Sequence, residues 1–494
     1  MNIGGAPNVK TAESEAYIEV HNDSIFERIF HDFQKANDEI TAFALYDGTH
    51  LENISYRRFY EDILEATGYF RINNISKQHI ALLGPNSYRW IVTFFAIMVT
   101  GNTAVLANPD LSMEILNDQF EFTDVDMVCY DQNAWNASIP SEKKWVSFEA
   151  LRIAGGDSFL SVYAWTPDET AVMMFTSGTT GKSKVVEFSI GNLESYLTDL
   201  IEIYNDDYNR VLLVPPLYHI MGLVSALIRL CVLQCVCIGR GPQYIVWDMA
   251  FLNPSALHMV PSVLESIVKL LKKAKTKEER QKYIGSNLKR ITIGGATYNK
   301  DLYCYMTQLG IVVEGAYGMT ETTGAGTLCE LNEHNYTTIG KPYGKTQMRI
   351  KDGEVQISGP SVMKGYYKDP EETAKIIVNG WIHTGDMGYR DEEGNYYITG
   401  RKKNVIILSN GENVNPEEIE VFFDKCEAII ECMVYSNGKG ICADVFTNNK
   451  DAAAAFIRSY NDDMPKYRQV YKVNYTEEPL PKTGSGKIKR KENL

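Results

Sequence analysis

The sequence predicts an α/β protein: a long α/β-layered part, then a small antiparallel β-barrel, then a smaller α+β unit. Three observations carry this. Up to Thr338, short apolar runs alternate with helix-length amphipathic segments, the pattern of layered, largely parallel sheets. After Thr338, short strand-like pieces separated by Gly turns follow one another, which reads as antiparallel β. From Gly400 onward, helix-like and strand-like pieces mix in a shorter stretch.

In chain order, residues 1–20 read as a polar N-terminal arm. HIALLGP (79–85) is a strand leading into a helix from Tyr88, and TAVLANP (103–109) is the next strand. SMEILNDQFEF is helical and DMVCYD (126–131) is a strand. Ile91 to Val99 (IVTFFAIMV) is about half the ~20 residues that span a bilayer, so it is a buried helix. In NLESYLTDLIEIY, Leu193, Tyr196, Leu197, Leu200, Ile201 and Tyr204 share one face at helical spacing. Strands follow at VLLVPP (211–216), VCIGRG (236–241), ALHMVP (256–261), RITIGG (290–295) and VVEGAYG (312–318). QMRIKDGEVQISGP and DEEGNYYITG supply the antiparallel pieces. Beyond Gly400 come VIILS, a helix near PEEIEVFFDK, strands around MVYS and ICADVF, and a helix from Asp451. In sheets of this class ligands bind in the loops beyond the carboxyl ends of strands.

Composition bounds the function. A chain of 494 residues exceeds one compact core and implies several domains. Acidic residues outnumber basic ones, 63 to 49, and a net charge of -14 argues against nucleic-acid binding, which needs a basic face. Small nucleotides stay open, because backbone N–H groups cradle phosphate without net charge. The N-terminus lacks the basic start and apolar run of a secretion signal, so a cytoplasmic protein without a membrane span is expected. Nine cysteines suit a reducing compartment. Cys231, Cys235 and Cys237 lie in an apolar run and read as buried thiols, with no second Cys/His group nearby to make a metal site.

The most informative stretch is MMFTSGTTGKSKVVEFS (173–189), where an apolar strand meets six consecutive Thr, Ser and Gly residues, then lysines, then another strand. Glycines admit close backbone approach, and hydroxyls with successive N–H groups wrap phosphate oxygens. It is not a Walker A loop, which would need glycine at 176 if Lys182 were its lysine; Thr176 stands there. The bland alternative, a Ser/Thr/Gly surface turn, fits poorly between two apolar strands.

With the motifs that follow it, this stretch resembles the acyl-adenylate-forming superfamily of acyl-CoA synthetases, luciferases and peptide-synthetase adenylation domains. The phosphate loop matches from Phe175 to Gly181 and at Lys184, departing at Ser183 and Val185, where relatives usually carry Pro and Gly. PPLYHIMGL (215–223), IGGAT (293–297), GAYGMTETT (315–323), GEVQISGPSVMKGYYKDPEET (353–373), WIHTGDMGY (381–389), GRKKNVIILSNGENVNPEEIE (400–420) and PLPKTGSGKIKR (479–490) follow in the family's order. The resemblance implies a large N-terminal AMP-binding domain, residues 21–399, made of two α/β-layered sheets plus a small β-barrel. It also implies a smaller, mobile α+β C-terminal lid, residues 400–494.

The resemblance further implies the site. Thr176, Ser177, Gly178, Thr179, Thr180 and Lys184 would hold phosphates; Gly295, Ala296 and Tyr317 would meet adenine; Asp386 would take both ribose hydroxyls; and Arg401 would touch the nucleotide. Thr320 would contact phosphate, Glu321 would be the magnesium ligand, and Lys487 would be the catalytic lysine. Lys403 marks the hinge about which the lid swings, and Gly411 the loop offered to the thiol. His219, Met221, Gly295, Ala316 and Met319 would line the acyl pocket. Alone, Asp386 would read as a turn aspartate, Lys402 and Lys403 as a solvated basic turn, and the lysine-rich end as a charged tail.

The implied chemistry is physically coherent. Bringing a carboxylate to the α-phosphate of an anionic nucleotide requires positive charge in a water-poor site, supplied by ATP-bound Mg2+ and Lys487. Magnesium shares the substrate's phosphates and needs few protein carboxylates, so Glu321 alone suffices. His219 stands where amino-acid-activating relatives carry an aspartate for the α-ammonium, which favours a plain aryl or aliphatic acid. The chain ends seven residues after Lys487. The expected acceptor is therefore coenzyme A, or alternatively phosphopantetheine on a separate carrier protein.

Overall fold

The computed structural model describes residues 25–36, 38–134, 143–152, 162–176, 184–204, 208–295, 300–332, 337–408, 412–438, 440–482 and 488–491. The N-terminal arm read from the sequence lies outside them.

Two sheets sandwich a shared helical layer. The seven-stranded sheet runs Gly365–Tyr366, Lys184–Ser189, Thr170–Thr176, Thr103–Ala107, His79–Leu83, Met127–Tyr130, Lys144–Ser147. Its members from Thr170–Thr176 to Lys144–Ser147 are parallel, and Lys184–Ser189 turns back antiparallel to Thr170–Thr176. The larger sheet has 14 strands. Its parallel part runs Val312–Gly318, Arg290–Gly294, Ala256–Met259, Arg210–Leu213, Cys235–Ile238, Thr41–Tyr46. The hairpin partner Leu51–Ser55 closes one edge.

At the other edge the sheet turns antiparallel. Gly326–Glu330 and Thr338–Pro342 lead into Tyr396–Arg401, Trp381–Arg390, Glu354–Ser358 and Gln347–Lys351. The antiparallel pieces after Thr338 are thus hydrogen-bonded to the parallel sheet through two linking strands. The segment 353–373 is divided: Glu354–Ser358 belongs to the large sheet, whereas Gly365–Tyr366 pairs with Lys184–Ser189 in the other and Pro370–Ile376 is a helix.

The helices form for local reasons. Ser55, Ser87 and Ser112 each accept a hydrogen bond from the N–H three residues on, capping Tyr56–Ile72, Tyr88–Val99 and Met113–Phe122. Tyr88–Val99 is apolar all round and nearly every side chain is buried, as its composition demands. Ile25–Lys35, Tyr56–Ile72, Tyr88–Val99, Ile190–Tyr204 and Ile220–Cys231 share the main core. An aromatic cluster within it joins Phe33, Phe59 and Phe95 with ring centroids 5.3–5.9 Å apart.

The last part has its own core. Ile429–Ser436 and Ile441–Thr447 are antiparallel; helix Lys450–Asp463 then returns the chain to Val470–Thr476, parallel to Ile441–Thr447. Helix Pro416–Phe423 packs on this sheet. Strand Tyr396–Arg401 crosses the position at which the sequence divides into two domains. No helix among the described residues is long and apolar enough to cross a membrane.

Candidate active site

Thr176 and Tyr317 stand at the carboxyl ends of parallel strands, while Lys184, Glu321, Asp386 and Arg401 come from the antiparallel strands and the turn that adjoin them. Strand Val312–Gly318 ends in a tight reversal: a short 3-10 turn, Thr320–Thr322, then Gly326–Glu330 running back. Only glycine fits two positions of this hairpin. A Cβ on Gly318 would lie 2.2 Å from the carbonyl of Gly324, and one on Gly326 would lie 2.1 Å from that of Tyr317. The reversal therefore fixes where Tyr317 and Glu321 point.

Tyr317 reaches one side of this turn. Its hydroxyl donates to Asp386 Oδ2 at 2.6 Å. Burial, then the adjacent Asp386, raises the Tyr317 phenol well above its ordinary value, so it stays a donor. Asp386 is buried on Trp381–Arg390, directly across from Arg401 in the neighbouring strand, and its Oδ1 meets Arg401 Nε at 2.8 Å. Arg401 also donates to the Thr384 carbonyl at 2.9 Å. A donor phenol, an acceptor carboxylate and a guanidinium are thus held in one row.

Glu321 turns the other way. Its Oε1 accepts from the Tyr366 hydroxyl at 2.7 Å, and its carbonyl accepts from Met363 N at 2.9 Å. The Tyr366 ring lies under Lys184 Nζ, 4.9 Å from its centroid, and Lys184 pairs with Glu372 at 2.6 Å. The hydrogen bond from Lys184, then that from Lys375, lowers the Glu372 carboxyl to about 2. Lys184 sits opposite Thr176 at the mouth of the phosphate-loop hairpin. Ser177, Gly178, Thr179 and Thr180 lie outside the described residues, as do Ala296, Gly411 and Lys487.

The acyl-pocket candidates divide. Gly294 and Ala316 are register partners on adjacent strands, and the tip of Met221 packs over them: a Cβ on Gly294 would lie 2.7 Å from Met221 Cε. Gly295 follows at φ +82°, with space beside it as far as Val260. His219 stands at the N-terminus of Ile220–Cys231, its ring centroid 4.6 Å from that of Tyr218. The imidazole keeps open surface, while the surrounding walls hold it below the ordinary histidine range, on the neutral side. Met319 is half-buried and opens the Thr320–Thr322 turn, its N–H donating to Thr322 Oγ1 at 3.3 Å.

Sequence reasoning missed two groups. One is the Tyr366–Glu372 brace; its residues sit in the quoted GYYKDPEET, but nothing in their spacing says that they face Glu321 and Lys184. The other is a buried polar row two residues deeper than Gly294 and Ala316: His258, Thr292 and Glu314, in register on three strands. Ser225 Oγ lies 2.5 Å from His258 Nδ1, and Arg229 Nη2 lies 3.4 Å from its Nε2. Desolvation, then Arg229 and Arg290, lowers His258 to about 3. A signal existed, since a His and a Glu interrupt otherwise apolar strands.

Beside Arg401 a cavity of about 370 Å³ is lined by Glu354, His383, Thr384, Gly385, Arg401, Lys402 and Lys403. Glu354 holds Lys402 and His383, each at 3.1 Å, and accepts from Gly385 N at 2.9 Å. Burial works against its ionised form, but these partners outweigh burial and keep the carboxyl below its usual range. Lys403 is lowered by desolvation and by the neighbouring charges of Arg401 and Arg490.

Among the described residues no group of three His, Cys, Asp or Glu is placed to hold a metal ion. A cation here would rest on Glu321, of whose two carboxylate oxygens Tyr366 takes one. This donor chemistry fits a magnesium ion carried largely by phosphates.

The family model described as AMP-binding enzyme matches residues 32–367. Curated relatives include the 2-succinylbenzoate–CoA ligases of Bacillus mycoides (strain KBAB4) and Bacillus cereus (strain Q1), each 28% identical and covering 89% of this chain and 93% of theirs. Among solved structures, o-succinylbenzoate CoA synthetase (MenE) from Bacillus subtilis, in complex with the acyl-adenylate intermediate OSB-AMP, superposes with a TM-score of 0.80. It is 23% identical over 93% of this chain and 96% of its own. ATP-bound MatB from Rhodopseudomonas palustris also gives 0.80, at 22% identity over 94% of this chain and 97% of its own.

Proposed function

Because the chain belongs to the AMP-binding enzyme family, we propose that it activates a carboxylic acid with ATP and passes the acyl group to the thiol of coenzyme A. In the first half-reaction an oxygen of the acid's carboxylate attacks the α-phosphorus of ATP, the bond to pyrophosphate breaks, and acyl-AMP forms. In the second the thiolate attacks the acyl carbon, the bond to AMP breaks, and AMP leaves.

The observation that carries this reading is the Tyr317–Glu321 turn. Within four residues it sets Tyr317 against Asp386 and Glu321 against Tyr366, so a nucleoside-side acceptor and a phosphate-side carboxylate are held at fixed separation. Asp386 accepts from the ribose hydroxyls, displacing the Tyr317 and Arg401 donors it holds, and Arg401 stays close enough to follow the nucleotide. Lys184, pinned by Glu372, registers the phosphate loop; Lys487 brings positive charge to the carboxylate and α-phosphate. Glu321 would hold the magnesium ion carried by the phosphates, and that ion would supply the positive charge that favours attack by an anionic acid.

The acid is a plain carboxylate, and an aryl one is favoured. The pocket side formed by Met221, Gly294 and Ala316 is apolar, and a His219 held neutral offers no countercharge to an α-ammonium. The curated relatives named above are 2-succinylbenzoate–CoA ligases, and 2-succinylbenzoate is an aryl acid, which supports the same choice of acid and acceptor.

Pyrophosphate release with ATP and magnesium tests this across aryl acids, fatty acids of several lengths and amino acids, each with and without coenzyme A. Release with an aryl acid, converted to its thioester when coenzyme A is added, is the expected result. Release only with amino acids, or release that coenzyme A never turns into thioester, would overturn the choice of acid or of acceptor.

A further inference from the structure

The proposed function uses Tyr366 only as a neighbour of Glu321, yet its side chain joins the two halves of the site directly. Its backbone belongs to the seven-stranded sheet, in register with Val186 just behind the phosphate loop. Its hydroxyl ends on Glu321, in the turn that follows a strand of the other sheet. The side chain is 5% exposed, so the ring cannot swing away without opening the core.

The flanking backbone is stitched to both sides. Met363 N donates to the Glu321 carbonyl at 2.9 Å, Lys364 N to Glu187 at 3.0 Å, and Tyr367 N to Val185 at 2.8 Å. Tyr366 N donates to Thr373 Oγ1 at 2.8 Å, tying it to the helix that carries Glu372. Lys184 lies over the ring and is held by Glu372.

Resting on the assignment of Glu321 as the magnesium carboxylate, we propose that Tyr366 is a positioning residue that fixes the Glu321 carboxylate and couples its direction to the phosphate-loop hairpin. A hydroxyl donating to one carboxylate oxygen at 2.7 Å is a charge-assisted bond that holds the group in one rotamer and leaves the other oxygen to a cation. The order imposed in the protein alone is what second-layer partners give a metal ligand elsewhere. Tyr366 touches no reacting atom, and its effect reaches the nucleotide only through Glu321.

Calorimetric binding of ATP to the full chain, titrated over magnesium concentration without acid or coenzyme A, tests this with four proteins. They are the wild type, Tyr366→Phe, Glu321→Gln and the double variant. Tyr366→Phe keeps the ring beneath Lys184 and removes only the hydroxyl. It is expected to raise the magnesium concentration needed for half-maximal tight ATP binding roughly tenfold, the size expected for one hydrogen bond to a charged group. ATP binding in excess chelator should not change, and the double variant should be no worse than Glu321→Gln alone. The proposal fails if Tyr366→Phe titrates as wild type while Glu321→Gln is impaired, or if the two effects add. If Glu321→Gln itself titrates as wild type, the assignment of Glu321 fails instead.

Discussion

Asp386 is a carboxylate with two partners already engaged, the Tyr317 hydroxyl and the Arg401 guanidinium. Removing its charge with Asp386→Asn should raise the KM for ATP about 10- to 100-fold, since hydrogen bonds to charged groups contribute ~1.5–3 kcal/mol each. Tyr317→Phe, which deletes one donor and keeps the ring, should cost less than that; initial-rate kinetics over ATP concentration separates the two. His258 gives a prediction in pH. Folding lowers it from 6.5 to about 3, so between these values the unfolded chain binds a proton that the folded chain does not. Its contribution is complete above pH 6.5 and is lost as pH falls toward 3, with a slope of up to ~1.4 kcal/mol per pH unit. In His258→Gln, denaturant melts over that range should show an acid slope shallower by about one proton. At this scale the sequence shows which residues are chemical but not their neighbours. Tyr317, Glu321, Asp386 and Arg401 stand out through their motifs. Tyr366 and the Ser225–His258–Arg229 group depend on a register between strands that no local spacing encodes.

Elements were more legible than contacts. Tyr88–Val99 follows from a continuous apolar run and Ile190–Tyr204 from apolar periodicity, and the strands leading into the loops follow from short apolar runs. Two features were not legible. Val470–Thr476 gives no strand signal strong enough to be read, because its alternation is broken by Lys472 and Asn474 and most of it stays exposed or half-buried. The segment 353–373 reads as one piece although it serves both sheets, because Gly365–Tyr366 finds its partner in Lys184–Ser189, far back in the chain, while Glu354–Ser358 pairs with the nearby Trp381–Arg390. The hairpin that carries Tyr317 supplies a prediction of its own. Gly326→Ala forces a Cβ to within 2.1 Å of a backbone carbonyl, which cannot yield as a flexible side chain would. Shifting the hairpin costs ~1–3 kcal/mol and displaces Tyr317 and Glu321 together. Binding of a fluorescent ATP analogue should fall sharply, while helical circular dichroism is retained.

Across the whole molecule, the C-terminal unit is pinned by ionic contacts around its last described residues. Arg490 Nη2 meets Glu420 Oε2 at 2.5 Å and Glu417 at 3.3 Å, and Lys491 meets Asp444 at 2.5 Å. Burial pushes the Glu420 carboxyl up to about 7 even with Arg490 pulling it down. Arg490→Ala removes that pull and leaves the carboxyl to take up a proton, at ~1.5–3 kcal/mol for a lost hydrogen bond to a charged group. It should lower the melting temperature of this unit and slow adenylate formation through the adjoining Lys487 segment. ATP affinity, which we propose rests on Asp386 and Tyr317, should hold; calorimetry on the same sample distinguishes the two effects. Lys482 adds a further tie, 2.6 Å from Glu431.

The placement of Thr41–Tyr46 bears on how the protein is made. This strand and its hairpin partner Leu51–Ser55 have one neighbour in the large sheet, Cys235–Ile238, which is translated about 190 residues later. At roughly 5–20 residues per second, the nascent hairpin waits some tens of seconds at the ribosome with Ala42, Phe43 and Ala44 unburied. During that wait the seven-stranded sheet gains its inner strands, so the two sheets are completed in an order opposite to their order of appearance. Newly made chains should therefore depend on holding chaperones more than finished ones, and synonymous codon changes that slow translation before Cys235 should lower the soluble yield without altering the purified protein.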